Sequence, residues 1–140
     1  MGLTVEKYLQ AWTNSLKQMN AKADIVFLGD SLIYCGNFAN IFPDKVVRNL
    51  GLRGDTIQRL TKRVEQVKLL EPEAVYLMVG INDVTTSSIG EFNSNYSLLI
   101  QELKKQLPDL SIIVQSMLPV NNLHFKISCD NKILLHTIRK

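Results

Sequence analysis

Three short polar segments hold the residue types that acyl transfer requires: Gly29-Asp30-Ser31-Leu32, Gly51-Leu52-Arg53-Gly54-Asp55-Thr56 and Gly80-Ile81-Asn82-Asp83. Each directly follows a stretch that reads as a strand, and each pairs glycine with aspartate. One such segment would mean little, because Gly and Asp are common loop formers. Three at the ends of three strands of one sheet would place a serine, a glycine and an asparagine side by side. A serine on a strand-to-helix turn exposes its hydroxyl and leaves its own N–H free. A glycine N–H can approach a substrate oxygen closely because no side chain intervenes. An asparagine amide adds another donor. Donors converging on one point form an oxyanion hole, often the largest electrostatic contribution to acyl transfer. Taken singly, the residues have plainer readings. Ser31 would cap a helix, Gly54 and Asn82 would form turns, Asp55 would cap a helix, and Arg53 would be a surface residue near enough to touch an anionic substrate.

The elements that position these residues read as alternating helix and strand. Val5, Tyr8, Leu9, Trp12, Leu16 and Met19 recur at helical spacing and predict one amphipathic helix. Ala23–Leu28 is short, apolar and β-rich, which predicts a buried strand ending at Gly29. A short helix and loop should follow over 31–40, then a second strand over Lys45–Leu50. A helix starting near Asp55, with Gln58 completing a capping box, presents Ile57, Leu60, Val64 and Val67 and stops at Glu71-Pro72. A third strand covers Ala74–Val79. Ser88 and Glu91 open a helix bearing Phe92, Tyr96, Leu99, Ile100, Leu103 and Leu107, which Pro108-Asp109 breaks. Ser111–Ser116 is the fourth strand, and a last helix is expected from about Asp130. This alternation predicts an α/β fold: a three-layer α/β/α sandwich with a parallel, flavodoxin-like sheet, forming a single domain over 1–140. In such sheets ligands bind beyond the carboxyl ends of the strands, where all three polar segments fall.

In order and spacing the three segments resemble the first three blocks of the SGNH/GDSL hydrolases, a family of lipases and acylhydrolases. The resemblance covers residues 23–120 and is nearest to the branch that includes relatives of platelet-activating-factor acetylhydrolase. It implies a serine ester hydrolase with Ser31 as nucleophile and an acyl-Ser31 intermediate. The Ser31 N–H, the Gly54 N–H and the Asn82 side chain would bind the oxyanion. It also implies no cofactor, and Asp30, Asp55 and Asp83 would organise the loops. The family takes its base from a late Asp-x-x-His block, and this sequence has none. Its two histidines are His124, in Asn121-Asn122-Leu123-His124, and His136, six residues after Asp130. The chain therefore reads as C-terminally truncated or as a degenerate paralogue, with activity reduced. The alternative is a non-catalytic binding or interaction module on the same scaffold. A nucleotide-binding domain is disfavoured, since neither GxxxxGK[ST] nor GxGxxG occurs.

Composition narrows the remaining classes. The sequence is 140 residues long, 46% hydrophobic and 21% charged, a globular balance. Its net charge of +3 is mild, and its basic residues are scattered, which argues against a nucleic-acid partner. No apolar run approaches the ~20 residues of a membrane span. Met1–Lys7 lacks a secretory pattern, so a cytoplasmic location is expected. Cys35 and Cys129 have no metal-site spacing and read as free, half-buried thiols; no metal site is expected. The expected partner is a small-molecule ester. A shortened chain would expose a sheet edge and an apolar face, surfaces that invite a homo-oligomer.

Overall fold

The computed structural model describes Gly2 and residues 4–117. Helix α1 (Val5–Gln18) opens on Thr4, whose hydroxyl accepts from Lys7 N. The chain then runs through β1 (Ile25–Gly29), α2 (Ser31–Tyr34), a 3-10 turn (Ala39–Ile41), β2 (Val47–Gly51), α3 (Ile57–Lys62) and α4 (Val64–Leu70). It continues through β3 (Ala74–Met78), α5 (Ile89–Gln106) and β4 (Ser111–Val114). The four strands form one parallel sheet in the order β2-β1-β3-β4. That is the α/β arrangement which alternating helix and strand predicts, with β1 central. The expected last helix, Cys129, His124 and His136 lie outside the described residues.

Strand side chains alternate between two faces, and the two faces have different covers. Val26 and Leu28 of β1, Leu50 of β2, and Val75 and Leu77 of β3 join the main core. There they meet Leu60, Val64 and Val67 of α3 and α4, and Phe92, Leu99 and Leu103 of α5. The opposite face is smaller and aromatic. Phe27 stacks on Phe38 at 3.8 Å between ring centroids and on Tyr76 at 4.8 Å, with Ile33 and Phe42 alongside. Among the described residues this second layer consists of α2, the 3-10 turn and their loops.

Several local expectations change. On α1, Trp12 and Leu16 pack against the core, whereas Val5, Tyr8 and Met19 are exposed, because this outer helix leans on α4 along one narrow stripe. The helix expected from Asp55 is two helices, divided at Arg63 (φ −111°, ψ 18°). Its cap is Thr56, whose hydroxyl accepts from Arg59 N at 3.3 Å. Asp55 is instead completely buried, because its carboxylate is taken up by the Arg63 guanidinium. Cys35 is exposed rather than half-buried, and free. The capping box of α5 forms as its residues suggest. Ser88 Oγ accepts from Glu91 N at 3.2 Å, and the Glu91 carboxylate accepts from Ser88 N at 2.8 Å. That bond to the backbone, with Ser88's own contact, holds the Glu91 carboxyl below its usual pKa.

Candidate active site

The nucleophile candidate is placed by the end of β1. After Gly29 the chain leaves the strand at Asp30 (φ −94°, ψ −150°), whose carboxylate accepts from Leu32 N at 3.0 Å. Asp30 is therefore the cap, and Ser31 becomes the first residue of α2. The N–H of a first-turn residue has no intrahelical acceptor. Ser31 is half-buried, and among the described residues its hydroxyl makes no hydrogen bond. Asn49 of β2 clamps the far end of α2. Its Nδ2 donates to Ile33 O at 2.7 Å and Gly36 O at 3.1 Å, while its Oδ1 accepts from Gly51 N at 2.8 Å. The helix lies so near β2 that a Cβ on Gly51 would collide with the backbone of Tyr34.

The second and third segments meet at the same edge of the sheet. Gly29 is in register with Gly51 on one side and with Met78 on the other, so Ser31, Gly54 and Asn82 follow three adjacent strand ends. Leu52 N donates to Gly29 O at 3.0 Å, and Asp55 N to Leu52 O at 3.2 Å, closing the turn that contains Gly54. Gly54 has φ +71°, a left-handed conformation, and nothing lies within 4 Å of where its Cβ would stand. The space beside its Cα is thus open. Asn82 Nδ2 donates to the Asp55 carbonyl at 2.8 Å, which commits one of the two amide protons. Both Asp83 carboxylate oxygens lie 3.2 Å from Ile57 N, the first residue of α3. The second segment is therefore hydrogen-bonded directly to both the first and the third.

Beneath them lie three buried carboxylates, Asp30, Asp55 and Asp83, with exposures of 1%, 0% and 5%. One buried cation, Arg63, faces Asp55, at 2.9 Å from Nε and 2.7 Å from Nη2 to Asp55 Oδ2. Burial raises the Asp30 pKa, and the Asp55 charge adds to it, against the stabilising Leu32 N–H. Burial also lifts Asp83 to about 6, with the charges of Asp55 and Asp30 contributing and Ile57 N–H opposing. Arg63 is drawn below its ordinary value by burial, which the Asp55 charge partly offsets. Tyr96 of α5 is raised by burial and then by Asp30. Arg53, beside Gly54, is exposed and lies over the Tyr34 ring at 5.0 Å, its Nη2 3.9 Å from Cys35 Sγ.

Arg63 and Asn49 are the supporting residues that motif reasoning overlooked. Arg63 had a legible signal: it lies three residues after Leu60 and four before Val67, a charge on the apolar stripe of a helix. Asn49 had none beyond being a polar residue in a strand. A concavity of about 610 Å³ opens beside Asp83, lined by Thr56, Gln58, Ser87, Ser94 and Asn95 among others. A wider one of about 900 Å³ lies between α1, α4 and α5, bordered by Lys17, Glu65 and Glu102, away from the three segments. The described residues contain no cluster of His, Cys, Asp and Glu that could hold a metal ion, and no helix long and apolar enough to cross a membrane.

A parallel α/β sheet with its polar loops gathered at the carboxyl edge defines a ligand-binding architecture at the level of the fold. The chain belongs to the GDSL-like lipase/acylhydrolase family, whose model matches residues 27–132 and so spans all three segments. Solved structures share the fold at low sequence identity. A Streptococcus pneumoniae protein provisionally named a platelet activating factor is 21% identical, with a TM-score of 0.76 over 96% of this chain and 70% of its own. A provisionally named acylhydrolase from Bacteroides fragilis is 21% identical, with a TM-score of 0.65 over 99% of this chain and 72% of its own. A GDSL-like lipase from Bacteroides thetaiotaomicron is 19% identical, with a TM-score of 0.66 over 94% of this chain and 70% of its own. No curated protein sequence matches the chain.

Proposed function

We propose that the chain hydrolyses small carboxylic esters through an acyl-Ser31 intermediate. The observation that supports this most is the strand order β2-β1-β3, which sets Gly54, Ser31 and Asn82 beyond three neighbouring strand ends. In this reading Ser31 Oγ attacks the acyl carbonyl and loses its proton to a base. The Ser31 N–H, the Gly54 N–H and the uncommitted Asn82 amide proton receive the negative charge that develops on the carbonyl oxygen. The base returns that proton to the departing alcohol, then takes one from the water that attacks the acyl-serine and passes it to Ser31 Oγ as the carboxylic acid leaves. His124, His136 or a histidine of a second copy would serve as the base.

A second reading is a binding module that retains the scaffold without turnover. Hydrolysis of p-nitrophenyl acetate by the chain and by Ser31→Ala separates the two. Turnover that the substitution removes supports the esterase. Equal background rates from two folded proteins support the binding module.

A further inference from the structure

We infer that Arg63 is a positioning residue for the oxyanion site: it fixes Asp55 so that the Asp55 carbonyl holds the Asn82 amide in one orientation. Its consequence for rate rests on the esterase reading, whereas the orientation of the amide rests on the geometry alone.

Asp55 is used twice. Its carboxylate is gripped by Arg63 from two nitrogens, at 2.9 and 2.7 Å, and its main-chain carbonyl accepts from Asn82 Nδ2 at 2.8 Å. The terminal torsion of an asparagine side chain is broad and roughly two-fold, so an isolated Asn82 would not hold its second N–H toward one point. A carbonyl fixed in space selects a single orientation. Arg63 fixes more than Asp55. The same guanidinium donates to Leu50 O at 2.7 Å and approaches Gly29 O at 3.4 Å, while Nη1 donates to Gln66 Oε1 at 3.1 Å. One planar group thus ties together the end of β1, the end of β2 and the turn that contains Gly54. Gln66 braces it from behind, donating to Thr13 Oγ1 at 3.1 Å, and the Trp12 ring lies 5.7 Å from the guanidinium carbon.

Stability alone does not account for this arrangement. Arg63 is 4% exposed and Asp55 is fully buried, and desolvating such a pair offsets much of its attraction. Two apolar side chains in place of the pair would fill the space as well. They would not fix the direction of the Asp55 carbonyl. Lysine could neutralise Asp55 but lacks the planar fork that reaches several acceptors at once.

The test is hydrogen exchange of the Asn82 side-chain amide in nitrogen-15-labelled protein, alongside the rate at which a small alkyl fluorophosphonate labels Ser31. Folding of each variant is checked by circular dichroism. Arg63→Met should speed exchange of the protected Asn82 proton about tenfold or more. It should slow labelling by about tenfold to a hundredfold, the loss expected from a misplaced catalytic group. Asn82→Ala should slow labelling too, and the loss in the double variant should fall well short of the product of the two single losses, because much of the Arg63 effect passes through Asn82. Arg63→Lys, which keeps the charge, should loosen Asn82 in the same direction and serves if the methionine variant does not fold. An unchanged Asn82 amide in a folded Arg63 variant, or losses that multiply in the double variant, would overturn the inference. If the unsubstituted protein takes no phosphonate at Ser31, the esterase reading fails, while the exchange measurement still decides the role of Arg63.

Discussion

At the scale of single residues, the candidate site is built from groups whose obligations differ. Ser31 Oγ is uncommitted among the described residues, which suits a group meant for attack. Asn82 is half-committed, with one amide proton on the Asp55 carbonyl. Asp30, Asp55 and Asp83 are committed to N–H groups or to Arg63. Their hydrogen bonds hold the strand-end loops in place. Removing one oxyanion donor costs about 10²–10³ in turnover in enzymes of this type. Asn82→Ala is expected to lower kcat of ester hydrolysis by that factor with little change in KM, measured by steady-state kinetics. A rise in KM with kcat unchanged would instead mean that Asn82 binds the ground state as strongly as the transition state.

At the scale of elements, two local devices set the geometry. The first is the close approach of α2 to β2, which only a residue without a side chain at position 51 permits. Gly51→Ala should destabilise the fold by roughly 1–3 kcal/mol, the range of overpacking strain, in a denaturant titration. It should also disturb Ser31 labelling, because the backbone that would have to yield belongs to α2. The second is the capping box that starts α5. Ser88→Ala should cost about 1 kcal/mol and leave the rate of Ser31 labelling unchanged, since the Ser88 hydrogen bonds stay within the first turn of α5. The elements themselves were legible in the sequence because strands and helices bury different periodicities, and because Pro72, Pro108 and the strand-end glycines punctuate them. The strand-end segments Gly29–Leu32, Gly51–Thr56 and Gly80–Asp83 were legible for the same reason. Long-range partnerships were not. No local pattern tells Asp55, a good helix cap by type, that its carboxylate will instead meet Arg63 eight residues on. Nor does it say that the cap passes to Thr56, or that Ile57 N will be met by Asp83 from another strand end.

At the scale of the molecule, the acidic cluster under the site couples its ionisation to global stability. Asp83 has a folded pKa of about 6 against an ordinary 3.8. The folded state therefore holds this proton more tightly than the unfolded state does. Its contribution to stability is fully present below pH ~4 and is lost as pH rises to ~6, up to about 2–3 kcal/mol at 1.36 kcal/mol per pKa unit. Asp30, also raised by burial, acts in the same direction. Asp83→Asn can still accept from Ile57 N through its Oδ1, so it should flatten the fall in stability between pH 4 and 6 in urea titrations. An unaltered slope would place the coupling elsewhere.

The central proposal is that Ser31 is the nucleophile of an acyl-transfer site. The most direct test is to treat the folded chain with a small fluorophosphonate and map the adduct by peptide mass spectrometry. The account predicts one adduct, on Ser31, that is absent in Ser31→Ala and slowed in Asn82→Ala. A folded protein that acquires no adduct at Ser31, or labels equally well after Ser31→Ala, would contradict it.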